Sequence, residues 1–312
     1  MVEQYLFPYP NGRYLEALHL IQNGLIDYIP QIILLSEQNE TKLAAAAMVK
    51  GWPIVVFYGA THGTAFSLTS RDNIAQARRE IRTTEGKWET VSLVSTHDFV
   101  MKNWLDWNRL HPNLIQAASK GSFKLFENIA FVQLPVSNRA VSDLGQNYIN
   151  KNGCAQFFFT SPDDLFMSEL QRQSRFPCYA VRSANIHGSS EAKTYSEGMD
   201  FAPQIGAPYY VVPTPNSLKA LLGEDRRLRQ GSQPMYTFPL QGDAFQVTIA
   251  RIGNTGKSTS KRLIQGIFGS SLSVVIQLLK PTPSGRRPYD SPPYLMDPVS
   301  IRNDLLRASG ML

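Results

Sequence analysis

Apolar residues in this chain fall in short blocks separated by glycine, proline and small polar residues, and the blocks alternate between strand-like and helix-like spacing. Asn11 to Leu35 reads as a helical, apolar N-terminal element. Thr41 to Lys50 is alanine-rich and predicts a helix that stops before Gly51-Trp-Pro53. Ile54 to Tyr58 predicts a short buried strand, closed by a turn that holds Gly59 and Gly63. Ile74, Ala77 and Ile81 recur at helical spacing between Asp72 and Arg82, with Ser70 as the cap. Thr90 to Ser95 follows as a strand, and Asp98 to Leu110 as a helix.

The second half continues the alternation. Ala130 to Pro135 and Ala155 to Thr160 predict strands, and Asp163 to Arg172 a helix opened by Ser161 and Pro162. Cys178 to Val181 runs as a strand into Ser183-Ala-Asn185, and Tyr209 to Val212, Gln246 to Arg251 and Ser273 to Leu279 add further strands. Strands interleaved with helices imply an α/β fold with a twisted, mixed, open sheet flanked by helices. The expected organisation is an N-terminal helical extension over 1–40, an α/β domain over 41–280, and a C-terminal extension over 281–312 rich in Pro, Ser and Gly.

Composition narrows the class. With 312 residues, 43% hydrophobic and 18% charged, the chain has the makings of a substantial core and not of a disordered protein. No apolar run is as long as a membrane span, and Met1 to Pro10 lacks the basic-then-apolar pattern of a signal peptide. A cytoplasmic protein without membrane contact is the expectation. Cys154 and Cys178 are the only cysteines, which points to buried thiols and not to a disulfide framework or a metal site. Charge is uneven: Ser217 to Leu312 holds 13 Lys and Arg against 6 Asp and Glu. A basic C-terminal third favours an anionic ligand such as ATP, or a solubilising surface. Aromatic residues do not interleave with the basic ones, so nucleic acid is the minor expectation.

Candidate chemistry gathers around Ser183-Ala-Asn185. A strand that ends in small polar groups and a glycine turn, here through Gly188, lets hydroxyl, amide and backbone N–H groups converge on phosphate oxygens. Upstream lie the turn Phe57-Tyr-Gly-Ala-Thr-His-Gly63, then a helix carrying Arg78, Arg79 and Arg82, then Lys87. This order, with Phe157 to Pro162, the helix to Leu170 and Phe176 to Asn185, resembles the YrdC-like family, whose best-known members are threonylcarbamoyl-AMP synthases. The family's turn Pro-Thr-Asp/Glu-Thr-x-Tyr-Gly has Phe57 in place of its proline and His62 in place of its tyrosine, and His187 replaces a serine after Ser-Ala-Asn.

The resemblance implies a YrdC-like fold and an ATP-dependent carbamate chemistry, in which bicarbonate joins an amine and AMP is transferred to the carbamate. It implies Arg82, Lys87 and His62 as catalytic candidates, and Ser183, Asn185, Arg182, Thr248 and Arg251 as nucleotide contacts. ATP, with Mg2+, and bicarbonate are the implied co-substrates, with an amine or amino acid as acceptor. The retained phosphate end and the altered turn imply an acceptor other than threonine. No protein metal ligands are expected. The alternative is a YrdC-like protein without catalysis that binds nucleotide or RNA. Simpler readings stand beside each residue: a solvated arginine face, a side-chain-to-backbone turn at Ser183 and Asn185, a loop histidine at His62.

A second motif, Gly253-Asn-Thr-Gly-Lys-Ser-Thr259, resembles a P-loop. Two residues separate its glycines where a P-loop has four, and Arg251 stands where the first glycine belongs.

Overall fold

The computed structural model describes residues 31–34, 38–57, 62–68, 91–161, 164–184, 192, 197–198, 201–202, 205–212, 233–251 and 257–277. Its strands are β1 (Gln31–Leu34), β2 (Ile54–Phe57), β3 (His62–Phe66), β4 (Ser92–Thr96), β5 (Phe131–Pro135), β6 (Cys154–Thr160), β7 (Cys178–Ser183), β8 (Tyr209–Val212), β9 (Met235–Thr237), β10 (Gln246–Arg251) and β11 (Ser273–Ile276). The helices are α1 (Gln38–Val49), α2 (His97–Asn103), α3 (Pro112–Ser119), α4 (Asn138–Leu144), α5 (Leu165–Gln173) and α6 (Lys257–Phe268). The fold is α/β with mixed pairing and flanking helices, as the alternation predicts.

The chain divides into two compact units: Met1–Gln76, Asp163–Gly231 and Ser284–Leu312 form one, Ala77–Pro162 and Ser232–Pro283 the other. In the first, the strands lie in the order β1-β8-β2-β3-β7. β1, β8 and β2 run parallel, while β3 is antiparallel to both β2 and β7. Every residue of β2 is buried, as a continuous Ile-Val-Val-Phe run in a strand covered on both faces should be. α1 forms through its alanine run, and Ala44, Ala45, Ala47 and Met48 are fully buried. It ends on Gly51 at φ +101°, and Trp52 N–H closes the turn on the Ala47 carbonyl at 3.0 Å. α5 is capped by Asp164, whose carboxylate accepts from the Phe166 and Met167 amides.

In the second unit the order is β4-β6-β5-β9-β10-β11. β4 and β6 are parallel, β5 and β6 antiparallel, β5 and β9 parallel, β9 and β10 antiparallel, β10 and β11 parallel. β6 is buried along its whole length. Phe123, Phe126, Phe238 and Phe268 pack ring against ring, with Phe123 and Phe238 edge to face at 4.8 Å.

Several expectations need correction. Residues 31–34, expected in an N-terminal helical extension, form β1 and pair with β8, so they belong with the sheet. The β-branched pair Ile32-Ile33 suits that role. The helix expected over Asp98 to Leu110 stops at Asn103. Trp104 and Leu105 both donate to the Val100 carbonyl at 2.9 Å, and Leu105 and Leu110 are drawn into bridges with Val136 and Leu240. Long-range pairing overrides the helical pattern there. His62 and Gly63, expected in a turn, are strand residues of β3. The expected helix over Asp72 to Arg82 and the extension over 281–312 lie outside the described residues. Cys154 and Cys178 are free and buried, and burial pushes the Cys154 thiol up to about 11, so it stays protonated near neutrality.

Candidate functional site

The strand pairing places His62 beside the end of β7. Gly63 is in register with Ser183 and Thr64 with Arg182, which sets the start of β3 against the end of β7. Backbone bonds then close the loop that follows Ser183. Ala184 N–H donates to the His62 carbonyl at 3.1 Å, Ala192 N–H to the Ala184 carbonyl at 2.9 Å, and His62 N–H to the Ala192 carbonyl at 3.1 Å. The segment from Ala184 to Ala192 therefore leaves and returns at one point, and His62 holds both ends.

The imidazole completes this clamp. Nδ1 donates to the Ala192 carbonyl at 2.9 Å, which requires the proton on Nδ1 because a carbonyl only accepts. Nε2 is then the acceptor, and the Tyr210 hydroxyl of β8 donates to it at 2.6 Å. The ring is fully buried, and desolvation lowers its pKa from 6.5 to about 4, against smaller upward pulls from the Ala192 carbonyl and Glu197. His62 is thus neutral at physiological pH, with both ring nitrogens occupied. Its ring ties Ala192 to Tyr210, an arrangement that suits a positioning role. Tyr210 and Ala192 had no signal in the sequence that would mark them as its partners.

Ser183 and Arg182 are both half-buried at the end of β7. Alternate residues of a strand face opposite sides, so Ser183 lies on the face of Gly63 and Arg182 on that of Thr64. Arg82, Lys87 and Asn185 lie outside the described residues. In the second unit, Thr248 and Arg251 lie on β10. They are three apart and would ordinarily point to opposite faces. The register shift between Ile249 and Arg251 corrects this: Thr248 opposes Thr237 and Arg251 opposes Met235, so the two share a face. The Arg251 guanidinium sits 5.6 Å from the centre of the Phe131 ring, and its Nε donates to the Gln233 carbonyl at 2.6 Å.

The P-loop-like segment does lead from a strand into a helix, since β10 precedes it and α6 starts at Lys257. Lys257 is exposed on that helix. With the glycine spacing wrong for a phosphate cradle, Lys257→Ala should leave ATP affinity within about twofold of wild type by calorimetry. A tenfold loss would restore the P-loop reading. Among the described residues there is no cluster of three or more His, Cys, Asp or Glu that could hold a metal ion, and no helix long and apolar enough to cross a membrane.

No protein-family model and no curated protein matches the sequence. Solved structures do resemble it. Sua5 from P. abyssi, complexed with L-threonine, aligns at a TM-score of 0.52 and 11% identity, over 78% of this chain and 62% of that one. YciO from E. coli aligns at 0.51 and 11%, over 72% of this chain and 96% of its own. A hypothetical protein from Streptococcus mutans aligns at 0.54 and 10%, over 81% of this chain and all of its own length. The chain thus spans 62% of the Sua5 structure, and at these identities the likeness is one of fold. This chain has the fold of the Sua5 and YciO structures and diverges from them in sequence.

Proposed function

We propose that this protein is an ATP-dependent enzyme that joins bicarbonate to an amine other than threonine and activates or transfers the resulting carbamate. The observation that carries the reading is the clamped loop: β7 ends in Ser183, and the segment behind it is tied at Ala184 and Ala192 by His62. These bonds fix Ser183 and Ala184 against β3, and donors held in place before binding stabilise phosphate charge best.

In the proposed reaction the amine nitrogen bonds to the carbon of bicarbonate with loss of water. A carbamate oxygen then attacks the α-phosphorus of ATP, the bond to the bridging oxygen breaks, and pyrophosphate leaves with its electron pair. Ser183 and Asn185 would donate to phosphate oxygens, and Arg182 would balance part of the triphosphate charge. Mg2+ would arrive with the triphosphate. The chemistry needs alignment and charge neutralisation more than a general base, so a neutral His62 that positions the segment behind Ser183 is compatible with it. A cytoplasmic setting, where ATP and bicarbonate are both at hand, completes the reading.

One observation favours a second reading. The family's tyrosine position is occupied by His62, whose ring is committed to the fold. A nucleotide- or RNA-binding protein without catalysis would tolerate that change. Pyrophosphate release from ATP, measured with and without bicarbonate across a panel of amines, separates the two. The enzyme gives sustained release that needs bicarbonate and one class of amine. Tight ATP binding with no release under any amine leaves the binding protein.

A further inference from the structure

From Ala244 to Tyr289 the chain has no aspartate or glutamate, and this basic stretch builds β10, α6 and β11. β10 and β11 pair in parallel, and α6 is the crossover between them, so it runs antiparallel to both. β11 is the last strand of its sheet, and among the described residues only β10 pairs with it. Ser273 N–H donates to the Phe245 carbonyl and Gln277 N–H to the Ile249 carbonyl, both at 3.1 Å. Backbone groups of successive residues point to opposite sides of a strand, so those of Ser273, Val275 and Gln277 face β10. The N–H and C=O groups of Val274 and Ile276 are left to the outer edge.

Proteins ordinarily blunt such an edge with a charge, a proline or a bulge. β11 has none of them: its sequence is Ser-Val-Val-Ile, and its register with β10 is unbroken. Val275 is 39% and Ile276 37% exposed, both of a type that favours extended pairing. Beside this edge stand cations. Lys257, Lys261 and Gln265 lie four apart on α6 and form one stripe, and Gln265 Nε2 donates to the Leu272 carbonyl at the start of β11. The stripe is therefore on the β11 side of the helix. Lys257 is about 12 Å along the axis from Gln265, and Ile276 about 13 Å along the strand from Leu272. The lysines thus rise beside the strand to the level of Ile276. Both are exposed, and neither meets a carboxylate among the described residues.

We infer that the outer edge of β11 docks an extended segment of a partner protein, apolar at alternate positions and flanked by aspartate or glutamate. The segment would add a strand to the sheet, bonded through Val274 and Ile276, with its acidic flank against Lys257 and Lys261. Charge complementarity decides against a second copy of this chain as the occupant. Pairing β11 with its own equivalent about a two-fold axis puts both α6 helices on one face, with the lysines of each turned toward those of the other.

Fluorescence anisotropy on the full chain tests this with two labelled peptides, Glu-Glu-Val-Thr-Val-Thr-Val-Glu-Glu and the same core with lysine in place of every glutamate. Wild type should bind the first about tenfold more tightly, and the gap should close in about 0.5 M salt. Ile276→Pro removes an outward N–H and none of the bonds to β10, so it should weaken the glutamate peptide by at least about tenfold. Lys257→Glu/Lys261→Glu leaves the strand unchanged and should reverse the preference, which decides the matter even where the proline disturbs β11. No binding of the glutamate peptide up to about 1 mM, equal binding of both peptides, or an unchanged preference in the charge-reversed variant would overturn the inference. A wild type that sediments as a dimer, and as a monomer with Ile276→Pro, would give the edge to a second copy and overturn it too.

Discussion

Acidification from pH 6.5 to 4 should remove about 3 kcal/mol of stability through His62, and His62→Gln should abolish that part of the pH dependence. The unfolded chain takes up this proton below about 6.5, whereas burial keeps the folded ring neutral until about 4. Inside that window the unfolded state binds more protons, so stability falls as pH falls. Above it the contribution is complete, and below it no more is lost. The gap between the two pKa values, at about 1.4 kcal/mol per unit, sets the size. Protonation leaves the Nδ1 bond to Ala192 intact, and the Tyr210 hydroxyl is able to turn and accept from Nε2, so the loss is one of desolvation and not of partners. Carboxylates titrate in the same range, so the quantity to read is the difference between variant and wild type in urea melts from pH 4 to 7. Parallel curves would mean that His62 is not buried as described.

Gly198→Ala should be the most disruptive single-methyl change near the site. A Cβ there would lie 2.6 Å from His62 Cδ2 and Nε2 and 2.8 Å from Tyr210 Cε2. Both rings are fully buried and bonded to each other, so neither yields at its tip. Overpacking of this kind costs about 1–3 kcal/mol, or roughly 3–10 °C in apparent melting temperature for a protein of this size. Because the displaced ring is the one that holds Ala192, ATP affinity should fall with it. Gly266→Ala is the matched control. That glycine is exposed within α6 with nothing within 4 Å of a new Cβ, and alanine should raise stability by about 0.5–1 kcal/mol. Equal effects from the two substitutions would rule out a tight His62 site.

The fold was legible where local pattern and burial agree. The apolar runs of β2, β6 and β10 stand at or within a residue or two of their expected limits, because strands buried on one or both faces announce themselves by composition. α2 was misread because the residues beyond Asn103 have a helical pattern but are held by Val136 and Leu240, far along the chain. β9 has three residues, too few for any periodicity. At the site, the Ser183 strand end was visible in the sequence and its approach to His62 followed from the order of motifs. The role of His62 was not visible, since Tyr210 lies 148 residues away. Nor was the common face of Thr248 and Arg251, which depends on an irregularity in β10 that alternation does not foresee.

The clamp and the proposed nucleotide site meet in one claim: the loop behind Ser183 binds ATP because His62 fixes its ends. Calorimetric titration of ATP into wild type, Ser183→Ala/Asn185→Ala and His62→Gln tests it in a single series. The account predicts binding by wild type, loss of at least tenfold in the double variant, and an intermediate loss in His62→Gln that comes mainly from a less favourable entropy. Equal affinity in all three proteins would contradict it.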